Sequence, residues 1–229
     1  MKRNDFMDQS CRKKARGMGE VMRRKLCAAV LMVCMLAGMA GCGNTGGGSD
    51  KGGQTAEDSA QAADSAAAGS SVAAVADEKG NYLVNGSFEE SDFTGWNVTN
   101  VDNVTEELDI YTRDTDCCEG VQSLHFYSGS SDVNFTAEQT VSGLEAGSYK
   151  LTAHIQGEAA GDENASVYFY AIVGGETIQA DADLNGYLNW YTAELPGLDV
   201  QDGEVTVGVS VKTAPGGWGT IDDITLVKE

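Results

Sequence analysis

The sequence predicts an all-β fold, an antiparallel β-sandwich of the jelly-roll kind, built from about 150 residues at the C-terminal end. Three observations predict it. Helical periodicity is nearly absent, while period-two alternation of apolar and polar residues recurs. Turn signals cut the alternating runs into short lengths. All three Trp, all eight Tyr and five of the six Phe of the 229 residues lie beyond residue 80, so one segment holds the material for a core.

The elements follow in order. Ser123 to Tyr127 puts Leu124 and Phe126 on one face and His125 and Tyr127 on the other. Tyr149 to Gln156 turns Leu151, Ala153 and Ile155 inward, with Thr152, His154 and Gln156 opposite. Ser166 to Val173 alternates Val167, Phe169 and Ala171 with Tyr168, Tyr170 and Ile172. Val205, Val207, Val209 and Val211 alternate with Thr206, Gly208, Ser210 and Lys212. Ser142-Gly143, Gly174-Gly175, Asn185-Gly186 and Asp202-Gly203 mark the turns. About eight to ten short strands are expected at this spacing.

The region before the sandwich reads differently. Residues 1–41 carry nine of the 15 basic groups and three acids; from Cys42 onward six basic groups face 32 acids, a net of −26. So acidic a surface repels nucleic acid and anionic lipid headgroups, which disfavours both as partners, and no nucleic-acid partner is expected. The basic start leads into an apolar run from Leu26 to Met39 that ends at Ala40-Gly41-Cys42. A basic region, a short apolar core and small residues before the cut form a secretory signal over residues 1–41. With Cys directly after Ala-Gly it resembles a bacterial lipoprotein signal. The resemblance implies a lipidated Cys42 and a protein held on the extracytoplasmic face of the cell membrane. Residues 42–79 form the linker: 43–77 alone hold 7 Gly, 10 Ala and 5 Ser, too little apolar surface to offset ordering entropy. The folded domain is expected over residues 80–229. Of six cysteines, Cys11, Cys27 and Cys34 leave with the signal. Cys117 and Cys118 remain in the domain, adjacent, as a strained vicinal disulfide or as two thiols.

Catalytic signatures are missing. No Gly-x-Ser-x-Gly elbow occurs, the two His lack metal-ligand spacing, and strand parity sends Asp222 and Asp223 to opposite faces. The chain is therefore expected not to be an enzyme. Asp181 to Gly186 imitates the start of an EF-hand loop, but Thr192 stands where the loop needs a bidentate Glu. An Asn-Gly turn decorated with acids is the better reading.

Both ends of the domain carry motifs. Asn81-Tyr-Leu-Val-Asn-Gly-Ser-Phe-Glu89 and Gly95-Trp96 open it, and Trp218-Gly-Thr-Ile-Asp-Asp-Ile-Thr-Leu226 closes it. Together they resemble the galactose-binding-domain-like jelly rolls of bacterial carbohydrate-binding modules. His125-Phe-Tyr-Ser, Phe135 to Val141, Ile155-Gln-Gly157, Asn189-Trp190 and Val205 to Val211 look like the modules appended to bacterial endo-β-1,4-galactanases. Tyr127 stands where that pattern has Trp, and Cys117-Cys118 lies outside it. The resemblance implies a structural Ca²⁺ shared by the first and last strands, with Glu89 and Asp222 as side-chain ligands and carbonyls completing an oxygen shell. Parity points the same way, since it places Asp222 with Ile224 and Leu226, where an unpaired carboxylate is costly.

A sugar site needs flat apolar faces beside planar hydrogen-bonding groups. Tyr127, Tyr168, Tyr170, Trp190 and Trp218 offer the faces; His154 and Gln156, with His125 and Arg113, offer the polar partners. Trp96, after the first strand, is read as core. The expected function is non-catalytic binding of a β-linked glycan, β-1,4-galactan or galacto-oligosaccharides. The alternative is a jelly-roll protein-interaction module that binds no sugar, and a third is a glycosidase. A transporter or glycosidase partner stays open.

Overall fold

The computed structural model describes residues 71–100 and 108–229. The segment read as a signal peptide, Cys42 and residues 43–70 of the segment read as a linker lie outside them. Eleven strands are found among the described residues: β1 (Val72–Ala73), β2 (Asn97–Asn100), β3 (Leu108–Tyr111), β4 (Ser123–Tyr127), β5 (Val133–Ser142), β6 (Gly147–Glu158), β7 (Ser166–Val173), β8 (Glu176–Asp181), β9 (Gly186–Val200), β10 (Glu204–Thr213) and β11 (Trp218–Lys228). Sheet I has the order β1-β5-β10-β7-β8, with β2 also beside β5; sheet II has the order β3-β4-β11-β6-β9. The pairing of β1 with β5 is parallel, the others antiparallel. This is an antiparallel β-sandwich, as the alternation predicts. β1 sits inside the segment read as linker, where Ala74 N–H also donates to the Ser142 carbonyl.

The two inner faces make one core. Val205, Val207, Val209 and Val211 of β10 are wholly buried and meet Leu151, Ala153 and Ile155 of β6 and Phe126 of β4 in the same cluster. Each fully buried aliphatic side chain contributes roughly 1.5–3 kcal/mol. The opening motif is then tied down by polar side chains. Asn81 Oδ1 accepts from the N–H of both Leu83 and Leu226, bridging the first segment to β11. Gln139, on the inward face of β5, accepts from Val84 N–H and donates to the Val84 carbonyl. Trp96 is buried in the core, as expected, its indole N–H on the Asn85 carbonyl at 3.0 Å.

One element departs from simple parity. The β11–β6 register shifts between Asp222 and Thr225, and Asp223 has a φ of +48°. Ile221 and Ile224 both reach the core, so the alternation changes phase between them. Asp222 therefore does not share a face with Ile224 and Leu226. It pairs with His154 and lies on the outer face with Trp218 and Thr220. The bulge also brings the Asp223 carboxylate to 3.6 Å from His154 Nδ1, so Asp222 and Asp223 are not on opposite faces.

Candidate functional site

The outer face of sheet II carries the site. Cross-strand register builds it in rows: Tyr127, Trp218 and Glu158 form one, and His125, Thr220 and Gln156 the next. Between β3 and β4 the chain leaves the sheet as a long loop and supplies Arg113 and Asp116. From the far edge, the start of β9 supplies Tyr187. The result is an open cleft of about 310 Å³ lined by Tyr111, Arg113, Asp116, His125, Tyr127, Tyr187, Trp218 and Thr220. Tyr127 and Tyr187 are exposed, and the Tyr187 ring centroid stands 6.3 Å from that of Trp218 at 51°.

One wall is a stacked column. The His125 imidazole lies 3.6 Å from the Tyr111 ring, nearly parallel, and the Arg113 guanidinium sits over the Tyr111 ring, 5.0 Å from its centroid. Asp109 accepts from His125 Nδ1–H at 2.6 Å. Burial, which outweighs this hydrogen bond, holds the His125 pKa below the ordinary histidine value. The imidazole is then neutral, with Nε2 left as an acceptor. Arg113 also approaches Asp116 at 3.8 Å.

The residues singled out from sequence separate here. Tyr127 and Trp218 meet in the cleft as cross-strand neighbours, with Arg113 and His125 beside them. Gln156 is buried beneath: its amide donates to Thr220 Oγ1 and accepts from Leu188 N–H at 2.6 Å, which fixes the start of β9 next to Tyr187. His154 is buried two residues further along β6, its pKa lowered by that burial, and does not line the cleft. Trp190 is 9% exposed on β9 and is likewise outside it. Tyr168 and Tyr170 stand on the outer face of sheet I, where the Tyr170 hydroxyl donates to Glu138. Tyr111, Asp116, Tyr187 and Thr220 were not singled out. Thr220 was legible as the outward neighbour of Trp218; Asp116 stands in a loop with no periodicity, and β3 and β9, which carry Tyr111 and Tyr187, were not among the strands read from alternation.

The two acids of the end motifs converge on one loop. Asp222, fully buried, accepts through Oδ2 from the N–H of Cys118 and Glu119 and through Oδ1 from its neighbour Asp223. Its pKa is nonetheless pushed up to about 8, because burial outweighs these donors. Glu89 Oε1 accepts from Val121 and Gln122 N–H at 2.7 and 2.8 Å. Gly120 makes the close approach possible: it has a φ of +53°, and a Cβ there would fall 2.0 Å from Glu89 Oε1. Among the described residues no group of three or more His, Cys, Asp or Glu side chains is arranged for a metal ion.

Solved structures give the comparison. TmCBM61, solved in complex with β-1,4-galactotriose, is 26% identical, with a TM-score of 0.58 over 65% of this chain and 99% of that one. The enzymatically active domain of tailspike protein 4 of bacteriophage CBA120 is 13% identical, with a TM-score of 0.52 over 66% of this chain and 22% of that one; that likeness is one of fold. A family 16 carbohydrate-binding module aligns at 16% identity and a TM-score of 0.46 over 65% of this chain and 100% of that one. No protein-family model and no curated protein matches the chain. The domain is thus a jelly roll similar, across nearly the whole of one such module, to carbohydrate-binding modules.

Proposed function

We propose that the protein is a non-catalytic lipoprotein of the extracytoplasmic membrane face that binds β-1,4-galactan fragments or galacto-oligosaccharides in the sheet II cleft. The observation that carries this reading is the cleft wall: Trp218, Tyr127 and Tyr187 supply apolar ring faces, and Arg113, Asp116, His125 and Thr220 supply directional hydrogen-bonding groups among them. A galactose ring presents a continuous apolar patch from C3 to C6 beside its axial 4-hydroxyl, which matches rings set against polar groups. The similarity to the galactotriose complex supports the same ligand class. One carboxylate, Asp116, lines the cleft, whereas glycosidic hydrolysis uses two that flank the bond. Calorimetric titration of β-1,4-galactotriose into residues 71–229 tests the reading. Heat that saturates at one site supports it. No heat with galactotriose, but heat with another glycan, removes the galactan assignment, and no binding of any glycan favours the protein-interaction reading.

We also propose Ca²⁺ at Glu89 and Asp222. A buried carboxylate whose charge its surroundings disfavour is a place where a cation restores balance, and both side chains offer hard oxygen. With two side-chain donors, carbonyls and water would complete the shell, which suits Ca²⁺ and not zinc. When bound, the ion supplies structural charge compensation only. Chelator is expected to lower the melting temperature of residues 71–229, and Asp222→Ala to remove the response; unchanged melting of the wild type disproves the site.

A further inference from the structure

The loop between β3 and β4 serves two places at once. Its first half gives Arg113 and Asp116 to the cleft. Its second half ends four backbone N–H groups, those of Cys118, Glu119, Val121 and Gln122, on two carboxylate oxygens, Asp222 Oδ2 and Glu89 Oε1, at 2.5–2.9 Å. Here these bonds take the place of the ladder that a strand would have. Gln122 adds a side-chain bond to the Glu89 carbonyl and another to Ser91 Oγ.

Short local contacts join the halves. Asp116 N–H donates to the Arg113 carbonyl at 2.9 Å, and Cys117 Sγ sits 3.5 Å from the carbonyl oxygens of both Asp114 and Gly120. The link to the sheet is equally direct. Along the outer face of β11 come Trp218, Thr220 and then Asp222, so the carboxylate that holds the loop stands on the strand that carries the cleft's indole. The spacing between the loop wall and the Trp218 floor is therefore set where Asp222 and Glu89 grip the backbone.

We propose that Asp222 and Glu89 are positioning residues of the glycan cleft: they touch no sugar, and they act through the 112–122 backbone to hold Arg113 and Asp116 in place. The proposal rests on reading the cleft as the glycan site. A cation at these carboxylates would act on the same loop.

Amide hydrogen exchange and galactotriose titration are measured together, with and without added Ca²⁺, on wild type, Glu89→Ala, Glu89→Gln, Asp222→Ala and Trp218→Ala. Glu89→Ala is expected to speed exchange at Val121 and Gln122 and, across the loop, at Asp116, each about tenfold, and to weaken galactotriose binding about tenfold. Glu89→Gln keeps an acceptor oxygen for the two N–H groups and should restore both readouts to within about threefold of wild type. Trp218→Ala should lose affinity while loop exchange stays as in wild type. The Glu89 pair decides the matter if Asp222→Ala does not fold. Exchange that loosens at Val121 and Gln122 but not at Asp116, or affinity unchanged in Glu89→Ala, overturns the proposal. If wild type binds no galactotriose, the function reading fails by itself, and the Asp116 exchange still decides whether the carboxylates position the wall.

Discussion

Trp218 and Tyr127 stand side by side on adjacent strands with their rings open to solvent on one face, whereas Tyr168 and Tyr170 are a sheet away and Trp190 is almost covered. Affinity for a neutral sugar should therefore follow position rather than ring type. Trp218→Ala and Tyr127→Ala are each expected to cost about 1–3 kcal/mol of galactotriose binding, while Tyr168→Ala leaves it unchanged. Calorimetry on the three variants checks this, and a loss confined to Tyr168→Ala would move the site to sheet I. His125 adds a pH dependence. Its folded pKa is depressed, mainly by burial, with Asp109 and Asp116 opposing and Arg113 reinforcing the shift. On acidification through the ordinary value near 6.5, the unfolded chain takes up a proton before the folded one does. Stability should thus fall as pH drops from about 7 toward 5. His154, depressed in the same direction, adds to the slope, so His125→Gln should flatten part of it and not all. Melting curves at three pH values for both proteins would show a slope unaffected by His125→Gln if the imidazole does not contribute.

At the level of elements, strands were legible because alternation is a property of the chain alone. β4 and β7 have the limits expected from apolar parity, and β6 and β10 run one or two residues further at each end. The bulge in β11 was not legible, because a one-residue change of phase leaves no mark in a short apolar pattern and depends on the loop packed above it. Asp116 was hidden for a related reason: the loop gains its shape from Asp222 and Glu89, distant in sequence. Gly157 shows a motif whose meaning only packing reveals. A Cβ there would lie 2.2 Å from the Trp218 carbonyl oxygen, so β6 and β11 can pair beside the cleft only with glycine at this point. Gly157→Ala is expected to destabilise the domain by about 1–3 kcal/mol and to shift Trp218. Denaturant melts and the near-ultraviolet circular dichroism of the indole check it; unchanged spectra would mean that the strands move apart without disturbing the ring.

The whole molecule has a polarity that bears on anchoring. β1 meets the last two residues of β5, and the N–H of Glu229 bonds to Ser148 at the start of β6, so both ends of the described C-terminal body lie near the 143–146 turn. The cleft belongs to the other end of β6, in the rows of Gln156 and Glu158. At about 3.3 Å per residue, the two ends are roughly 30 Å apart. With β1 already in the sheet, the 29 residues between Cys42 and Val72 would, as a chain of their composition, span about 30 Å on average and about 100 Å when fully extended. A lipid on Cys42 would therefore hold the domain by the end away from the cleft and leave the rings facing outward, within reach of small saccharides near the membrane. Cys42→Ser should move the protein from the membrane fraction to the aqueous one, and retention would remove the lipid anchor. Full-length protein on lipid vesicles should bind galactotriose within about threefold of the affinity of soluble residues 71–229, since no part of the cleft is spent on the anchor. A bulky label at Glu158, exposed beside Trp218, should block both forms alike. Binding by the soluble form alone would place the cleft against the bilayer and reverse the assigned polarity.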